Sequence, residues 1–211
     1  HWKGLEGKKV VLISGTTVGG MDITEQYFER MKTDDSLLYL PQSNECGKST
    51  VEIAQMSGLQ AECCTISTAC SSALNSIMLG CEMLRRGEAD VVIAGGSEAM
   101  SKFHLNGFNT LMILDRERCR PFDDTRAGLN LGEGAAFVVL RRDSDIGAAE
   151  GRNSVAEGIN GVAEALSGGN VLAYIGGYGN RCDAFHQTAT SENGEGAFLA
   201  MTDALNMAGL Q

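Results

Sequence analysis

ECCTISTACSSALNSIMLGCEMLRRGEADVVIAGG, residues 62–96, decides the fold class. Its opening, Glu62 to Thr68, is rich in β-branched residues and cysteine and predicts a strand. Ala69 to Arg86 then predicts one helix. Ala73, Ile77 and Leu84 recur at helical spacing, Arg85 and Arg86 suit the negative end of the helix dipole, and Gly87 is a stop signal. Ala89 to Ala94 (ADVVIA) is an apolar run of strand length, followed by Gly95 and Gly96. Strand, helix and strand in succession make a right-handed crossover in a mostly parallel sheet. The class is α/β.

Upstream, Lys8 to Ser14 (KKVVLIS) predicts a buried strand, and GTTVGG (15–20) a turn. Asp22 to Met31 has helical spacing, with Ile23, Tyr27, Phe28 and Met31 on one side. Ser49 to Met56 predicts a short helix opened by a capping box of Ser49 and Glu52. Downstream, Gly134 to Leu140 (GAAFVVL) and Asn170 to Gly176 (NVLAYIG) predict strands, and Gly194 to Ala208 a helix starting near Glu195. The polar stretch from Arg141 to Gly169 is either a weak amphipathic helix or a mobile insertion. No short-period repeat is visible.

The 211 residues could form one large domain or two small ones, and the 43% hydrophobic fraction is enough for a sizeable core. Twenty-seven glycines against two prolines, scattered among strand-like runs, point to tight turns and close backbone approaches. A net charge of −10 argues against a nucleic-acid partner. No apolar run approaches the ~20 residues of a membrane span. No secretory signal opens the chain, although the first residue is His1 rather than Met, so a native start is expected upstream. Seven cysteines at 46, 63, 64, 70, 81, 119 and 182 have neither framework spacing nor a C-x-x-C pair. They fit a reducing cytoplasm, with no metal site expected, and most of them behave as small buried hydrophobes.

One cysteine has a different setting. Cys70 stands at the predicted strand-to-helix junction, among Ala69, Ser71 and Ser72, small residues that leave room for a substrate. In the first turn of a helix it would face free backbone N–H groups and the positive end of the dipole. Both favour thiolate over thiol and so favour a nucleophile. From position alone Cys70 is either that nucleophile or a buried structural thiol.

Four motifs in register add to this. TACSSA (68–73), GEADVVIAGGSEAM (87–100), RPFDDTRAGLNLGEGAAFVVL (120–140) and DAFHQTATSENGEGAFLAM (183–201) resemble those of the β-ketoacyl-acyl-carrier-protein synthases, across nearly the whole chain. The resemblance implies a thiolase-like layered αβαβα fold with pseudo-twofold halves, incomplete in this chain. Residues 1–168 would be the remainder of the N-terminal half, with 144–168 an insertion or linker, and 169–211 the start of the C-terminal half. It implies an acyltransferase in which Cys70 takes an acyl group from a carrier-protein thioester. The carbanion left when malonyl carrier protein loses CO2 then attacks it, a decarboxylative Claisen condensation of fatty-acid or polyketide synthesis. No bound cofactor is implied, since the substrates ride on the phosphopantetheine of acyl carrier protein. The implied partners are that carrier and a second copy of the chain, a homodimer formed by strand pairing near Glu62 to Ser67.

Thr188 resembles the family's hydroxyl contact to phosphopantetheine. His186, in the D-A-F-H segment, either lines the substrate entrance or packs structurally. Leu129 stands where many relatives have a gating Phe, so it counts as a substrate-binding position whose acyl-chain preference cannot be carried over. The family's two catalytic histidine segments have no match among His1, His104 and His186. The chain therefore reads as an internal portion of a longer protein, expected to be inactive in condensation by itself. His104 reads as a structural histidine. Arg116, Arg118, Arg120 and Arg126 form either a docking patch for an acidic carrier or salt bridges of Arg120 and Arg126 with Asp123, Asp124 and Glu133. Glu133 is expected to be buried with a partner or to help shape the site. The alternative function is a non-catalytic partner of the chain-length-factor kind, in which the nucleophile is commonly replaced. Cys70 within an intact TACSSA favours the enzyme. A thiolase is weaker still, for want of the RPFD segment.

Overall fold

A computed structural model describes residues 2–145, 171–186 and 189–210. The chain divides into two units, His1–Ile146 and Gly147–Gln211. In the first, the elements run β1 (Val10–Gly15), α1 (Met21–Met31), α2 (Cys46–Ser57), β2 (Glu62–Ile66), α3 (Ser72–Arg85), β3 (Val91–Glu98), α4 (Lys102–Thr110) and β4 (Gly134–Leu140). The strands form one sheet in the order β2-β1-β3-β4. β1 lies parallel to both β2 and β3, so α3 carries the chain across β1 from one side to the other. β4 returns antiparallel on β3, with Gly95 opposite Phe137.

Every residue of β1 is buried, which explains why its sequence is an unbroken apolar run rather than an alternation. Val11 and Ile13 face α3 in a core with Leu84, Ala89, Val92 and Ala94, onto which Cys64, Ile66, Ile77 and Leu140 pack. The other face carries Leu12 and Ser14, because successive strand residues point oppositely. There α2 bonds to β2, Thr50 Oγ1 lying 2.6 Å from Thr65 Oγ1. The buried stripe of α3 is Ser72, Ser76, Gly80 and Leu84, one residue per turn and mostly small. A Cβ at Gly80 would lie 2.9 Å from both Val92 Cγ1 and Leu140 Cδ1, so the helix sits close against the sheet.

Three expectations need correction. The second helix begins at Cys46, three residues before the expected start, and Glu45 caps it without a side-chain bond. Ser49 lies inside the first turn and donates from Oγ to the Cys46 carbonyl, 2.9 Å away, so no capping box forms. The third helix begins at Ser72 rather than Ala69, because Ala69 takes a left-handed backbone, φ 53°. In the second unit, residues 171–180 form no strand. Gly177 and Gly179 instead press their backbone onto the Ala204 and Ala200 carbonyls of α5 (Glu195–Ala208), an approach that leaves no space for a Cβ. No strand pairs with this segment among the described residues, so its apolar pattern finds no ladder. The stretch whose character was left open, 141–169, lies outside the described residues from 146 onward.

The second unit is tied together by two carboxylates. Asp183 accepts from the Ser191 N–H at 2.9 Å and the Gly196 N–H at 2.5 Å, capping the start of α5. These backbone bonds, with the Ser191 hydroxyl, hold its carboxyl below the ordinary range. Arg181 forks onto Asp203, Nε to Oδ2 at 2.5 Å and Nη2 to Oδ1 at 3.0 Å.

Candidate active site

The parallel strands β1 and β2 end on the same side of the sheet, where open α/β sheets place their ligand sites. The chain leaves β2 at Ile66 and turns through Ser67–Ser71 before α3 begins. Cys70 is exposed at the crest of that turn. It is not in the first helical turn, as the spacing suggested, but two residues ahead of it, with Ser71 as the N-cap residue. A left-handed alanine costs roughly 1–2 kcal/mol, and such strain concentrates where a side chain must be held out for chemistry. Ala69 thus holds Cys70 ahead of the helix, on the turn that leads into it.

The turn is closed by hydroxyls. Ser72, 4% exposed, accepts from the Thr68 N–H at 2.9 Å and donates to the Ala69 carbonyl at 2.6 Å. Ser71 Oγ donates to the Thr68 carbonyl at 2.8 Å. Asn75 Nδ2 donates to Thr68 Oγ1 at 2.8 Å and Ser71 Oγ at 3.2 Å. Glycine allows the start of α3 to close on the sheet beneath. A Cβ at Gly15 would lie 2.6 Å from the Ser72 carbonyl carbon, and one at Gly96 3.1 Å from Ala73 Cβ. Ser72→Ala takes the acceptor from the Thr68 N–H and leaves the Ala69 carbonyl with the Ser72 N–H alone, and we expect a loss of about 0.5–1.5 kcal/mol in urea unfolding. A loss below about 0.5 kcal/mol would show that the turn holds without it.

Neighbouring groups frame the same end. Glu98, at the end of β3, accepts from the Thr17 N–H at 2.5 Å and the Thr16 hydroxyl at 3.2 Å. Cys46 opens α2 with its Sγ 4.0 Å from Ser67 Oγ and 3.8 Å from the Thr17 carbonyl. Sequence spacing missed it because 24 residues separate it from Cys70. Asn75 was missed as well, although it stands four residues after Ser71, a helical spacing that could have found it. Burial pushes the thiols of Cys63 and Cys81 up, which marks these two as packing residues.

Leu129 is half-buried and its backbone pairs with the loop before it, donating to the Ile113 carbonyl and accepting from the Asp115 N–H, both at 2.9 Å. Its hydrogen bonds do not involve the Cys70 turn. His186, in the second unit, is exposed, and its Nδ1 accepts from the Ala189 N–H at 3.2 Å. Thr188 lies outside the described residues. His104 is structural as expected. Its Nδ1 is 3.1 Å from Ser101 Oγ at the start of α4, where Glu25 also accepts from the Lys102 and Phe103 N–H groups.

Arg120 does not reach Asp123, Asp124 or Glu133. It pairs with Asp115 at 3.4 Å and Glu117 at 3.1 Å, both earlier in the chain, and donates to the Thr125 carbonyl. Arg126 meets Asp123 only through its carbonyl, at 2.8 Å. Arg116 and Arg118 are exposed. Glu133 is exposed rather than buried, and it accepts from the Met100 N–H at 3.1 Å, bracing the loop after β3. Among the described residues no three His, Cys, Asp or Glu side chains gather to hold a metal.

A sequence profile described as "Beta-ketoacyl synthase, N-terminal domain" matches residues 3–146. The 3-oxoacyl-(acyl-carrier-protein) synthase 2 of Staphylococcus aureus is 34% identical over 150 residues, 68% of this chain and 33% of its own length. The enzyme of that name from Vibrio cholerae is 30% identical over 207 residues, 93% of this chain and 45% of its own. The chain thus spans between a third and just under half of these relatives. A solved ketosynthase in complex with its chain length factor, from Xenorhabdus doucetiae, superposes on 99% of the chain and covers 48% of the solved one. Its TM-score is 0.75 at 24% identity, a likeness of fold. The mixed sheet and this superposition give the chain a thiolase-like α/β fold. A cysteine lifted on a left-handed turn between β2 and α3, in a chain most of which matches that one profile, leads to a single assignment: the protein belongs to the β-ketoacyl synthase family.

Proposed function

We propose that the protein is a β-ketoacyl-acyl-carrier-protein synthase with Cys70 as its nucleophile. The observation that carries this is the exposed thiol on a turn fixed by Ser72 and Asn75. The Cys70 thiolate adds to the carbonyl of an acyl-carrier thioester, and the Cys70 N–H receives the developing oxyanion. Collapse expels the phosphopantetheine thiolate, which takes up a proton, and leaves the acyl group on Sγ. Malonyl carrier protein then loses CO2. Its carbanion forms the new carbon–carbon bond to the acyl carbonyl, and the Cys70 thiolate leaves. The protein itself would hold no cofactor.

The two family histidines that would assist decarboxylation have no counterpart among His1, His104 and His186, so the 211 residues by themselves are expected to accept an acyl group without condensing it. Exposed Arg116 and Arg118 suit an acidic carrier protein. Thr188 and His186 are placed toward the phosphopantetheine arm on the resemblance of their segment. Leu129 would border the acyl chain. β2 is an edge strand, and pairing with a second copy would cover it. No helix among the described residues is long and apolar enough to cross a membrane, and every described cysteine is free, which suits a cytoplasmic enzyme. A chain-length-factor role is the other family option, and an intact, accessible Cys70 speaks against it.

The test supplies the protein with acyl and malonyl carrier proteins and follows CO2 release and 3-oxoacyl product. Both are expected from the protein extended through the two histidine segments, and acylation alone from the 211 residues. Condensation by the 211 residues alone would refute the division of labour. Absence of acylation in either form would refute the function.

A further inference from the structure

We propose that Asn75 is a positioning residue for acyl transfer, acting through the two residues that flank Ala69 and Cys70; this rests on the function proposed for Cys70. Asn75 lies at the end of the first turn of α3, one position away from the buried stripe of Ser72, Ser76, Gly80 and Leu84, and so is not part of the core contact with the sheet. Helical side chains lean toward the N-terminus, which carries the amide back over the turn. There its two N–H bonds are both used, on Thr68 Oγ1 at 2.8 Å and on Ser71 Oγ at 3.2 Å. Ser71 Oγ in turn donates to the Thr68 carbonyl at 2.8 Å and sits 3.0 Å from Thr68 Oγ1. Asn75, Thr68 and Ser71 therefore form a closed ring around the chain that bears the nucleophile.

The ring matters because of what lies between its two anchors. Ala69 is held at φ 53°, away from the backbone basin that alanine prefers, and Cys70 follows it directly. The plane of the Ala69–Cys70 peptide sets where the Cys70 N–H points. Ser72 secures the inner side of the turn through Thr68 N–H and Ala69 C=O, and the outer side is held by the Thr68 and Ser71 side chains, which Asn75 links to the helix body. Releasing Asn75 would leave the thiol exposed and let the peptide plane swing. Chemistry that needs an aligned N–H should suffer, and chemistry that needs only a thiolate should not.

Two probes separate these. Alkylation by iodoacetamide displaces iodide from carbon and develops no oxyanion. Acyl transfer from an N-acetylcysteamine thioester passes through one. In Asn75→Leu, acyl transfer to Cys70 should fall about tenfold, equivalent to about 1.4 kcal/mol of barrier. Alkylation should stay within about twofold, and the pH dependence of alkylation should not move. Asn75→Gln keeps both N–H bonds on a longer arm and should recover part of the loss. A parallel fall in both reactions, or a fall in neither, overturns the inference. If Asn75→Leu does not fold, Asn75→Ala serves for the same comparison, and failure of both to fold makes Asn75 structural and also overturns it. Absence of thioester transfer in the unaltered protein would sink the function of Cys70 itself, which is a distinguishable result.

Discussion

Cys70→Ala is expected to abolish covalent capture of an acyl group, lowering transfer from a carrier thioester by at least about three orders of magnitude. The effect is this large because no neighbouring group can replace the sulfur. The hydroxyls of Thr68, Ser71 and Ser72 are committed to holding the turn. Cys46 is the next thiol at this end of the sheet, but it sits at the start of α2 against Ser67 and Thr17 rather than on the turn. A cerulenin-type epoxide should therefore add one equivalent of mass to the unaltered protein and to Cys46→Ala, and none to Cys70→Ala. Mass spectrometry of the modified peptide reads the result. An adduct of unchanged yield in Cys70→Ala would remove the nucleophile from this site.

Gly95→Ala should cost more than about 4 kcal/mol and leave the protein largely unfolded, an effect larger than most single substitutions produce. A Cβ at Gly95 would be driven into the Ala136 carbonyl oxygen and come within 2.7 Å of Phe137 Cα. Both are backbone atoms of β4, paired in register with β3, and they cannot step aside as a flexible side chain would. To admit one methyl group the β3–β4 ladder would have to open. Gly107 provides the contrast. It lies within α4, and a Cβ there meets nothing within 4 Å, so Gly107→Ala should be neutral or add up to about 1 kcal/mol of helix propensity. Urea denaturation followed by circular dichroism compares the two. A Gly95→Ala protein of nearly unaltered midpoint would show that the strands are not so closely joined.

Much of the fold was legible because burial leaves a mark on local composition. β1 at 10–15 and the start of β3 at 91–95 are buried and largely apolar. β2 at 62–66 and β4 at 134–140 are partly exposed but rich in cysteine, apolar or β-branched residues, and the helices at 21–31 and 195–208 carry helical signals. The direction of β4 was not legible, since an apolar run reads the same in a parallel or an antiparallel neighbour. The segment 170–176 shows the opposite failure. Its composition suits a strand, but a strand needs a ladder, and residues 171–180 have instead a helix pressed on their glycines. Arg120 likewise found Asp115 and Glu117 because of how its loop folds, which charge pattern alone did not reveal.

By itself the sequence singled out Cys70 as the candidate nucleophile, marked most of the strands and helices and, through four motifs in register, pointed to the family. The tertiary structure decided how Cys70 is presented. Nothing in TACSSA required Ala69 to turn left-handed, and helical spacing favoured running α3 back through Cys70. That local preference gives way because Gly15 and Gly96 let the start of α3 settle against the sheet, and Ser72 and Asn75 tie the turn from inside and outside. The glycine contacts join residues far apart in the chain and the Ser72 and Asn75 bonds are local to the turn, and together they outweigh the small helical propensity of residues 69–71.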